Sequence, residues 1–367
     1  MSASDPASEG PAAADALAAT AADALAKAAA DALARAAAAG IHRLSIPTPF
    51  AVGRVNLYLI EDDPLTLVDA GPNSGKALDA LERALAEHGH RIEDLGLVVL
   101  THQHIDHLGL VDIVARRSGS EVAALDALAP WAASYPERMG ADDAFAVAVM
   151  LRHGVPADVT QALRAVSTAY RGWGAQATVT QPLAPGGELV LAGRTLRVLH
   201  RPGHSPSDTV FVDEGRRLMI GGDHLLAHIS SNPLISLPLD APTDPEQAAR
   251  VPRPPALITY LASMRATRAM DLELVLGGHG EPITDHVALI DERVRLHERR
   301  VRQLGELIAQ RPRSAHELAQ ALWGDVALTQ AYLTLSEVLG HVDLLVARGE
   351  VVEEEGEDGV TRMHRTA

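Results

Sequence analysis

The segment from Thr101 to Gly109 constrains this chain more than any other, because it packs three imidazoles and a carboxylate into six positions. These residues are His102, His104, Asp106 and His107. The apolar run 95–100 before them predicts a buried strand, and residues 108–117 have helical spacing. The four side chains should therefore lie on a strand-to-helix loop, which can direct them at one point. Imidazole and carboxylate are ligands of divalent ions such as zinc, so the segment predicts a metal site rather than a His-rich surface loop.

Three later loops each place one further ligand type just after a predicted strand. The strands are predicted at 188–191, 195–200, 209–213, 217–221 and 272–276, the first four as an antiparallel run. The residues that follow strand ends are His204, Asp223 and His279, each beside glycines that allow the backbone to approach a ligand closely. One such loop is weak evidence. Three of them after the histidine segment indicate a shared metal site.

Asp69 also follows a predicted strand, and two interpretations of it stay open. Strands at 54–61 and 65–71 are joined by the turn-forming residues 62–64, and Ser74 can cap a helix that runs to about residue 87. In one interpretation Asp69 lies at the rim of the histidine loop and orients a metal-bound imidazole. In the other it is a turn residue that hydrogen-bonds its own loop.

Composition excludes several classes of site and partner. The chain has 367 residues, 47% of them hydrophobic, and no cysteine, which rules out thiolate zinc sites, disulfides and Cys nucleophiles. A formal net charge of −16 makes nucleic acid or an anionic membrane surface an unfavourable partner. Because no apolar run reaches the roughly eighteen residues of a bilayer span, we expect a soluble, cytoplasmic protein with no membrane partner.

Residues 1–40 form a separate alanine-rich segment in which Asp and Leu recur every eight residues. Eight residues advance a helix by roughly 80°, so the leucines spiral around the axis instead of forming one stripe. The pattern predicts a partly helical, low-complexity appendage with little surface to bury and no role in chemistry. It lacks the basic and strongly apolar regions of a signal peptide.

A helical insertion is predicted at about 124–176, inside a main domain of residues 41–290. Five of the chain's eleven aromatic residues fall there, together with two methionines: Trp131, Tyr135, Met139, Phe145, Met150, Tyr170 and Trp173. The insertion can form an apolar wall or lid over the metal site that holds a substrate. Alternatively, these side chains are mostly the insertion's own core, and one or two of them face a pocket.

Residues 291–367 predict a C-terminal module. A long charged helix at 285–310 is followed by a capping box at Ser314 and Glu317, helices at 315–322 and 332–348, and a hairpin at 350–365. Three helices and a hairpin are typical of a winged helix. The hairpin is rich in Glu and Asp, which repel phosphates, so packing or homodimerisation is a better-supported role than DNA binding.

The series of His and Asp residues, with Asp69 in Val-Asp-Ala-Gly before it, resembles the metallo-β-lactamase-fold hydrolases over roughly residues 42–290, in their glyoxalase II-like and lactonase-like branch. The resemblance implies an α+β fold, an αββα sandwich with a two-metal site on one edge. By resemblance, the first ion is held by His102, His104 and His204. The second is held by Asp106, His107 and His279, and Asp223 bridges the two ions.

The resemblance also narrows the chemistry. Antibiotic-opening members usually have Cys where Asp223 stands, and diiron flavoproteins have a carboxylate where His104 stands, so the sequence favours zinc-type hydrolysis. Two zinc ions would share a water, hold hydroxide near neutral pH and polarise a carbonyl, so that a thioester, ester or lactone is cleaved. We expect Asp106 and Asp223 to be catalytic as well as ligating. His224, or else His228, is a candidate acid that protonates the leaving group.

Other functions remain open at this point. The same ligand series occurs in phosphodiesterases and ribonucleases of this fold, and a mononuclear iron dioxygenase can use the same scaffold. A binding protein that keeps the fold without catalysis is a further alternative. The acidic composition and the apolar insertion favour a small-molecule acyl substrate.

Overall fold

The computed structural model describes residues 11–366 and confirms the predicted αββα sandwich, with two stacked sheets and helices on both outer faces. The strands of the first sheet lie side by side in chain order: β1 (Ile41–Ile46), β2 (Val55–Ile60), β3 (Thr66–Val68), β4 (Leu97–Val99), β5 (Glu121–Leu125) and β6 (Gln181–Leu183). Strand β2 pairs with β1 and with β3 in antiparallel orientation, whereas β3, β4, β5 and β6 pair in parallel orientation. The parallel strands all end at one rim, so the segments that follow β3 and β4 meet there.

The second sheet has the spatial order β11-β10-β9-β8-β7. Its strands are β7 (Glu188–Val190), β8 (Thr195–His200), β9 (Thr209–Asp213), β10 (Leu218–Gly222) and β11 (Leu274–Gly277). Strands β7 to β10 form the predicted antiparallel run, and β11 joins β10 in parallel. The ends of β10 and β11 therefore deliver two of the predicted loops to the same rim of this sheet.

Helices cover both sheets and build the C-terminal module. In chain order they are α1 (Pro11–Ala38), α2 (Gly75–Glu87), α3 (Ile105–Leu108), α4 (Val111–Ser118), α5 (Leu128–Ala133), α6 (Tyr135–Arg152), α7 (Ala157–Tyr170), α8 (Pro245–Ala248), α9 (Ala256–Arg268), α10 (His286–Gln310), α11 (Ala315–Trp323), α12 (Val326–Thr329) and α13 (Ala331–Ala347). Among the helices described, none combines the length and hydropathy that crossing a bilayer requires.

The C-terminal module contains the predicted helices and hairpin, here β13 (Val351–Glu355) and β14 (Thr361–Arg365). A short strand, β12 (Arg313–Ser314), adds a third strand beside β14. Strands β1, β5, β6 and β12 carry no strand prediction. The sequences of β5 and β6 explain why, since β5 is rich in Ala and β6 contains a proline that is tolerated at the sheet edge.

The insertion and the C-terminal module share one hydrophobic core. Phe145 and Met150 of α6 are buried together with Leu304 of α10 and Val338 of α13. Helix α10 is continuous across residue 290, because its first turns pack on the sandwich and its later turns pack in this shared core. The helical segment starts at Leu128, four residues after the predicted boundary, since residues 121–125 form β5.

Helix α1 differs from the predicted appendage. It is one helix, and two small residues near its end, Ala32 and Ala36, are buried against the edge of the sandwich interior. The Arg194 guanidinium also donates a 2.8 Å hydrogen bond to the Ala39 carbonyl beyond the helix. Alanine methyl groups let a helix approach a sheet edge closely, so a helix without a wide apolar stripe still packs here.

We expect Ala36→Leu to lower the free energy of unfolding by about 1–3 kcal/mol, because added methylenes do not fit a filled interior. Ala34 lies on the same helix but is exposed, so Ala34→Leu is the matched control and should be nearly neutral. Urea unfolding of both variants checks this, and equal midpoints would show that α1 does not pack on the sandwich in solution.

Candidate metal centre

All seven ligands predicted from the sequence converge at one rim of the sandwich. The histidine segment follows β4, with His102 in the loop, His104 as the residue before α3, and Asp106 and His107 on α3. The other three lie in loops of the second sheet that follow β8, β10 and β11. These are His204, Asp223 and His279.

The cluster contains two separate groups of three ligands, and a third group, consisting of His102, His107 and Asp223, shares one histidine with each of them. In the first, the ligand atoms of His102, His104 and His204 lie within 4.8 Å of one another. In this group the distance from His204 Nε2 to His104 Nδ1 is 2.9 Å. The second group satisfies the same distance limit and consists of Asp106, His107 and His279.

Asp223 lies between the two groups. Its carboxylate is 3.5 Å from His204 Nε2 and 3.4 Å from His279 Nε2, and it is also 3.5 Å from His107 Nε2. One carboxylate therefore touches both groups, which is the position that the resemblance assigns to a bridging ligand.

Several buried polar atoms of the cluster lack a protein partner. They include His102 Nε2 and also His107 Nε2 and Asp223 Oδ1, which lie 3.5 Å apart. Buried polar atoms are nearly always satisfied, so unpaired nitrogen and carboxylate atoms that face one another indicate a missing ligand. Imidazole and carboxylate donors suit divalent ions, and the residues therefore fit the metals that the sequence predicts.

Asp69 lies at the rim of the histidine segment and hydrogen-bonds it, which is the position that the first of its two interpretations expects. Its carboxylate accepts hydrogen bonds from the Thr101 backbone N–H (2.8 Å), the Thr101 hydroxyl (2.7 Å) and His107 Nδ1 (2.7 Å). The Thr101 hydroxyl, having donated its proton to Asp69, can only accept from His102 Nδ1 at 3.0 Å. Both rings therefore keep their Nδ1 proton in a hydrogen bond and direct Nε2 into the site.

The remaining ligands are also positioned by the backbone. His279 Nδ1 donates a 2.8 Å hydrogen bond to the Arg54 carbonyl, which directs its Nε2 into the cluster. The loop that carries His204 is held by buried Asp208, which accepts from the Ser205 N–H and hydroxyl at 2.9 and 2.6 Å. The sequence reasoning missed Thr101 and Asp208. The Ser-x-x-Asp spacing at 205–208 was an available signal for the latter.

The charges of the cluster are strongly coupled. Burial lowers the pKa of His104 to about 3 and that of His102 well below its usual value, so both rings are neutral. Burial opposes charge on His107 too, but the carboxylates of Asp223 and Asp69 outweigh it and raise the pKa of that ring. Carboxylates that are buried this deeply attract positive charge, whether from protons or from bound cations.

Gly278 provides the space in which the ligands meet. A Cβ at this position would lie 2.3 Å from Asp223 Oδ1 and 2.7 Å from His107 Cε1. Gly222, with a φ of +47°, has Thr101 2.8 Å from its own Cβ position. The predicted role of strand-terminal glycines is therefore a requirement for space at Gly278 and also for backbone conformation at Gly222.

The two candidate acids are placed differently. His224 is buried away from the cluster, where its Nε2 lies 2.8 Å from the Thr267 hydroxyl, and burial lowers its pKa to about 3. A neutral ring bonded to α9 does not suit the catalytic role predicted for His224. His228 is exposed and lies beside Gly280 in the loop that carries His279.

The fold and this centre define a member of a known family. Residues 51–279 match the Metallo-beta-lactamase superfamily, and residues 301–366 match the family described as Metallo-beta-lactamase-like, C-terminal domain. The chain therefore belongs to the metallo-beta-lactamase superfamily.

The chain is also similar to individual proteins over most of its length. It is 35% identical over 305 residues to the Bacillus subtilis (strain 168) protein named Probable metallo-hydrolase YqjP, which covers 83% of this chain and 91% of that protein. A metallo-beta-lactamase family protein from Thermus thermophilus superposes with a TM-score of 0.71 at 27% identity over 89% of this chain and 99% of that one. A beta-lactamase domain protein from Burkholderia ambifaria superposes with a TM-score of 0.74 at 27% identity, over 89% of this chain and 92% of that one.

We expect Asp69→Asn to weaken metal binding about 10–100-fold, because an amide cannot accept from Thr101 and His107 as a carboxylate does. Asn tolerates the left-handed φ of 60° found here, so the backbone should be retained. Competition against a chromophoric chelator measures the affinity. Asp63→Asn, at an exposed position, is the control, and an unchanged affinity in Asp69→Asn would contradict the orienting role.

We expect Gly278→Ala to lower bound metal without removing a ligand, because the added methyl group would occupy the space between Asp223 and His107. Gly75→Ala, where a Cβ meets no atom within 4 Å, should keep full metal content. Elemental analysis of both purified proteins gives the comparison. Normal metal content in Gly278→Ala would mean that the space is not needed.

Proposed function

We propose that this metallo-hydrolase uses two divalent ions, with zinc as the favoured metal, to cleave a thioester, ester or lactone. The observation that carries the proposal is the pair of three-ligand groups joined by Asp223. Members of the superfamily to which the chain belongs, and a relative named as a metallo-hydrolase, support the hydrolytic part.

The donor atoms support zinc. Imidazole nitrogens with few carboxylates suit zinc, and the chain has no Cys to offer a softer ligand. Asp223, in place of a thiolate, and His104, in place of a carboxylate, support the glyoxalase II-like and lactonase-like branch. By this assignment His102, His104 and His204 hold one ion.

The residues of the second group would hold the other ion and act on the substrate. When bound, the two ions would supply Lewis acidity and lower the pKa of the attacking water. Asp106 is the most exposed carboxylate of the centre, with a side chain that is 12% exposed against 7% for Asp223 and 3% for Asp69. We assign Asp106 as the group that takes the water proton.

The proposed reaction is a simple hydrolysis. The water oxygen forms a bond to the carbonyl carbon, and the bond from that carbon to sulfur or oxygen breaks. Asp106 returns the proton to the departing thiolate or alkoxide, so its carboxylate is regenerated. This assignment gives Asp106 the proton-donor role for which His224 is unsuited.

An aromatic patch beside the centre supports an acyl substrate with an apolar part. Phe50 packs edge-on against Tyr170 and Trp173, with ring centroids 5.7 and 6.3 Å apart. Tyr170 is 45% exposed, whereas Trp131 and Phe145 of the insertion are buried. The insertion thus contributes both core residues and a partly exposed patch, which suits apolar contact with a ligand.

This patch is connected to the metal ligands by short links. The Trp173 carbonyl accepts a 2.7 Å hydrogen bond from the Asn73 N–H, and Gly174 packs against Ile105, the residue before Asp106. Phe50 lies on the segment that ends at Arg54, whose carbonyl holds His279. We therefore propose that the patch receives the apolar part of the substrate.

A substrate panel tests this function. The full-length protein, loaded with zinc, should hydrolyse acyl thioesters, p-nitrophenyl acyl esters or lactones, and should leave bis-p-nitrophenyl phosphate and short RNA intact. Asp223→Ala should reduce hydrolysis by more than about 100-fold and lower bound metal, since loss of a group that only orients a ligand costs 10–100-fold.

Two results would contradict the proposal. Cleavage confined to the phosphodiesters would identify a phosphodiesterase. One iron per chain with oxygen consumption would identify a dioxygenase. Asp126→Ala, at an exposed acidic position, is the control variant and should retain both activity and metal.

A further inference from the structure

A second cluster of possible metal ligands lies at the opposite rim of the first sheet. It consists of His42, Glu61, His88 and His90. Glu61 follows the end of β2, which pairs with the beginning of β3, whereas the catalytic loops follow the end of β3 and β4. The two clusters therefore occupy opposite ends of the same strands.

The register of the β1–β2 pair brings the first two residues together. His42 pairs with Leu59, so its side chain lies on the sheet face that also carries Glu61, which comes two residues after Leu59 and just beyond the end of β2. The distance from His42 Nε2 to Glu61 Oε2 is 3.0 Å. This is the outer face, which α2 covers.

The end of α2 supplies two more imidazoles. His88 is the residue that closes the helix, and Gly89, with a φ of +80°, turns the chain in the left-handed conformation. The His90 N–H then bonds to the Leu85 carbonyl at 3.0 Å, which fixes the position of His90. The sequence His-Gly-His therefore directs two rings back toward the sheet.

The four side chains have the geometry of a metal site. The ligand atoms of His42, Glu61 and His88 lie within 4.8 Å of one another, and the His42 and His88 ring centroids are 4.3 Å apart. His90 Nε2 lies 3.5 Å from the other oxygen of the Glu61 carboxylate. The Glu61 side chain is 41% exposed, so a cation from solvent can reach the cluster.

An ion pair between one histidine and the glutamate does not account for the whole cluster. The buried Nε2 of His42 has no hydrogen-bond partner, although the Glu61 carboxylate lies 3.0 Å away, and the His88 ring lies against the His42 ring. Two imidazoles and a carboxylate are a typical ligand set for zinc.

We propose that His42, Glu61 and His88 bind a Zn²⁺ ion and that His90 orients the Glu61 carboxylate. The ion would join the end of α2 to the β1–β2 hairpin. Because these residues take no part in the catalytic cluster, the site would stabilise the fold without changing hydrolysis. The proposal does not depend on the substrate of the enzyme.

Zinc stoichiometry measured by equilibrium dialysis of metal-free full-length protein against buffered ZnCl₂ tests the proposal. The unaltered protein should bind one more equivalent of zinc per chain than the His88→Gln variant. Zinc should also raise the thermal unfolding midpoint of the unaltered protein by more than it raises that of the variant. The same difference of one equivalent should appear in the Asp223→Ala background, which separates this site from the catalytic cluster. His90→Gln should weaken this site about 10–100-fold, and His88→Gln should keep normal hydrolysis.

His364→Gln is the matched control, because His364 also faces a glutamate, Glu354 at 3.7 Å. It should bind as much zinc as the unaltered protein. The proposal fails if His88→Gln binds as many equivalents as the unaltered protein. It also fails if His364→Gln loses zinc to the same extent, since binding would then reflect any surface histidine. Glu61→Gln is a second variant of the same site that keeps the side-chain shape, so misfolding would not explain its behaviour. It should also bind one equivalent of zinc fewer than the unaltered protein.

Discussion

The arrangement of the catalytic rim depends on the carboxylate of Asp69. It accepts three hydrogen bonds, two from Thr101 and one from His107. Through the Thr101 hydroxyl it also fixes the ring of His102, at the other end of the motif. A single buried acceptor therefore sets the orientation of two imidazoles before any ion binds. Such preorganisation matters because the ligands would otherwise lose conformational freedom on binding.

The two sheets bring this prepared loop to its partners. The parallel end of the first sheet presents the histidine segment, and β10 and β11 of the second sheet end at the same rim with Asp223 and His279. Close approach is possible because Gly278 leaves room between them. Around the rim, the insertion shares a core with the C-terminal helices, so the module that carries the aromatic patch is held by packing rather than by a flexible hinge.

Much of the centre could be predicted from the sequence, because its ligands sit at recognisable places. Each ligand lies in a segment that follows an apolar strand, and glycines mark three of these loops. Both the type of each ligand residue and its position after a strand could therefore be recognised in the sequence. His224 shows the limit of this reasoning. It directly follows a ligand, yet its ring turns away to bond Thr267. Adjacent side chains on an irregular loop can point in opposite directions. Because a loop has no regular repeat, the direction of each side chain cannot be predicted from its position in the sequence.

The sequence by itself indicated the candidate metal ligands and, through their resemblance to a known family, the sandwich. It also predicted the C-terminal helices with their hairpin, since these depend on local patterns of apolar, polar and glycine residues. Only the tertiary structure decided the packing of α1, the core shared by α6 and α13, and the meeting of His42 with His88. These contacts join segments far apart in the chain, and they follow from strand register and from the turn at Gly89. Long-range register is set by the packing of whole elements, and no short segment encodes it.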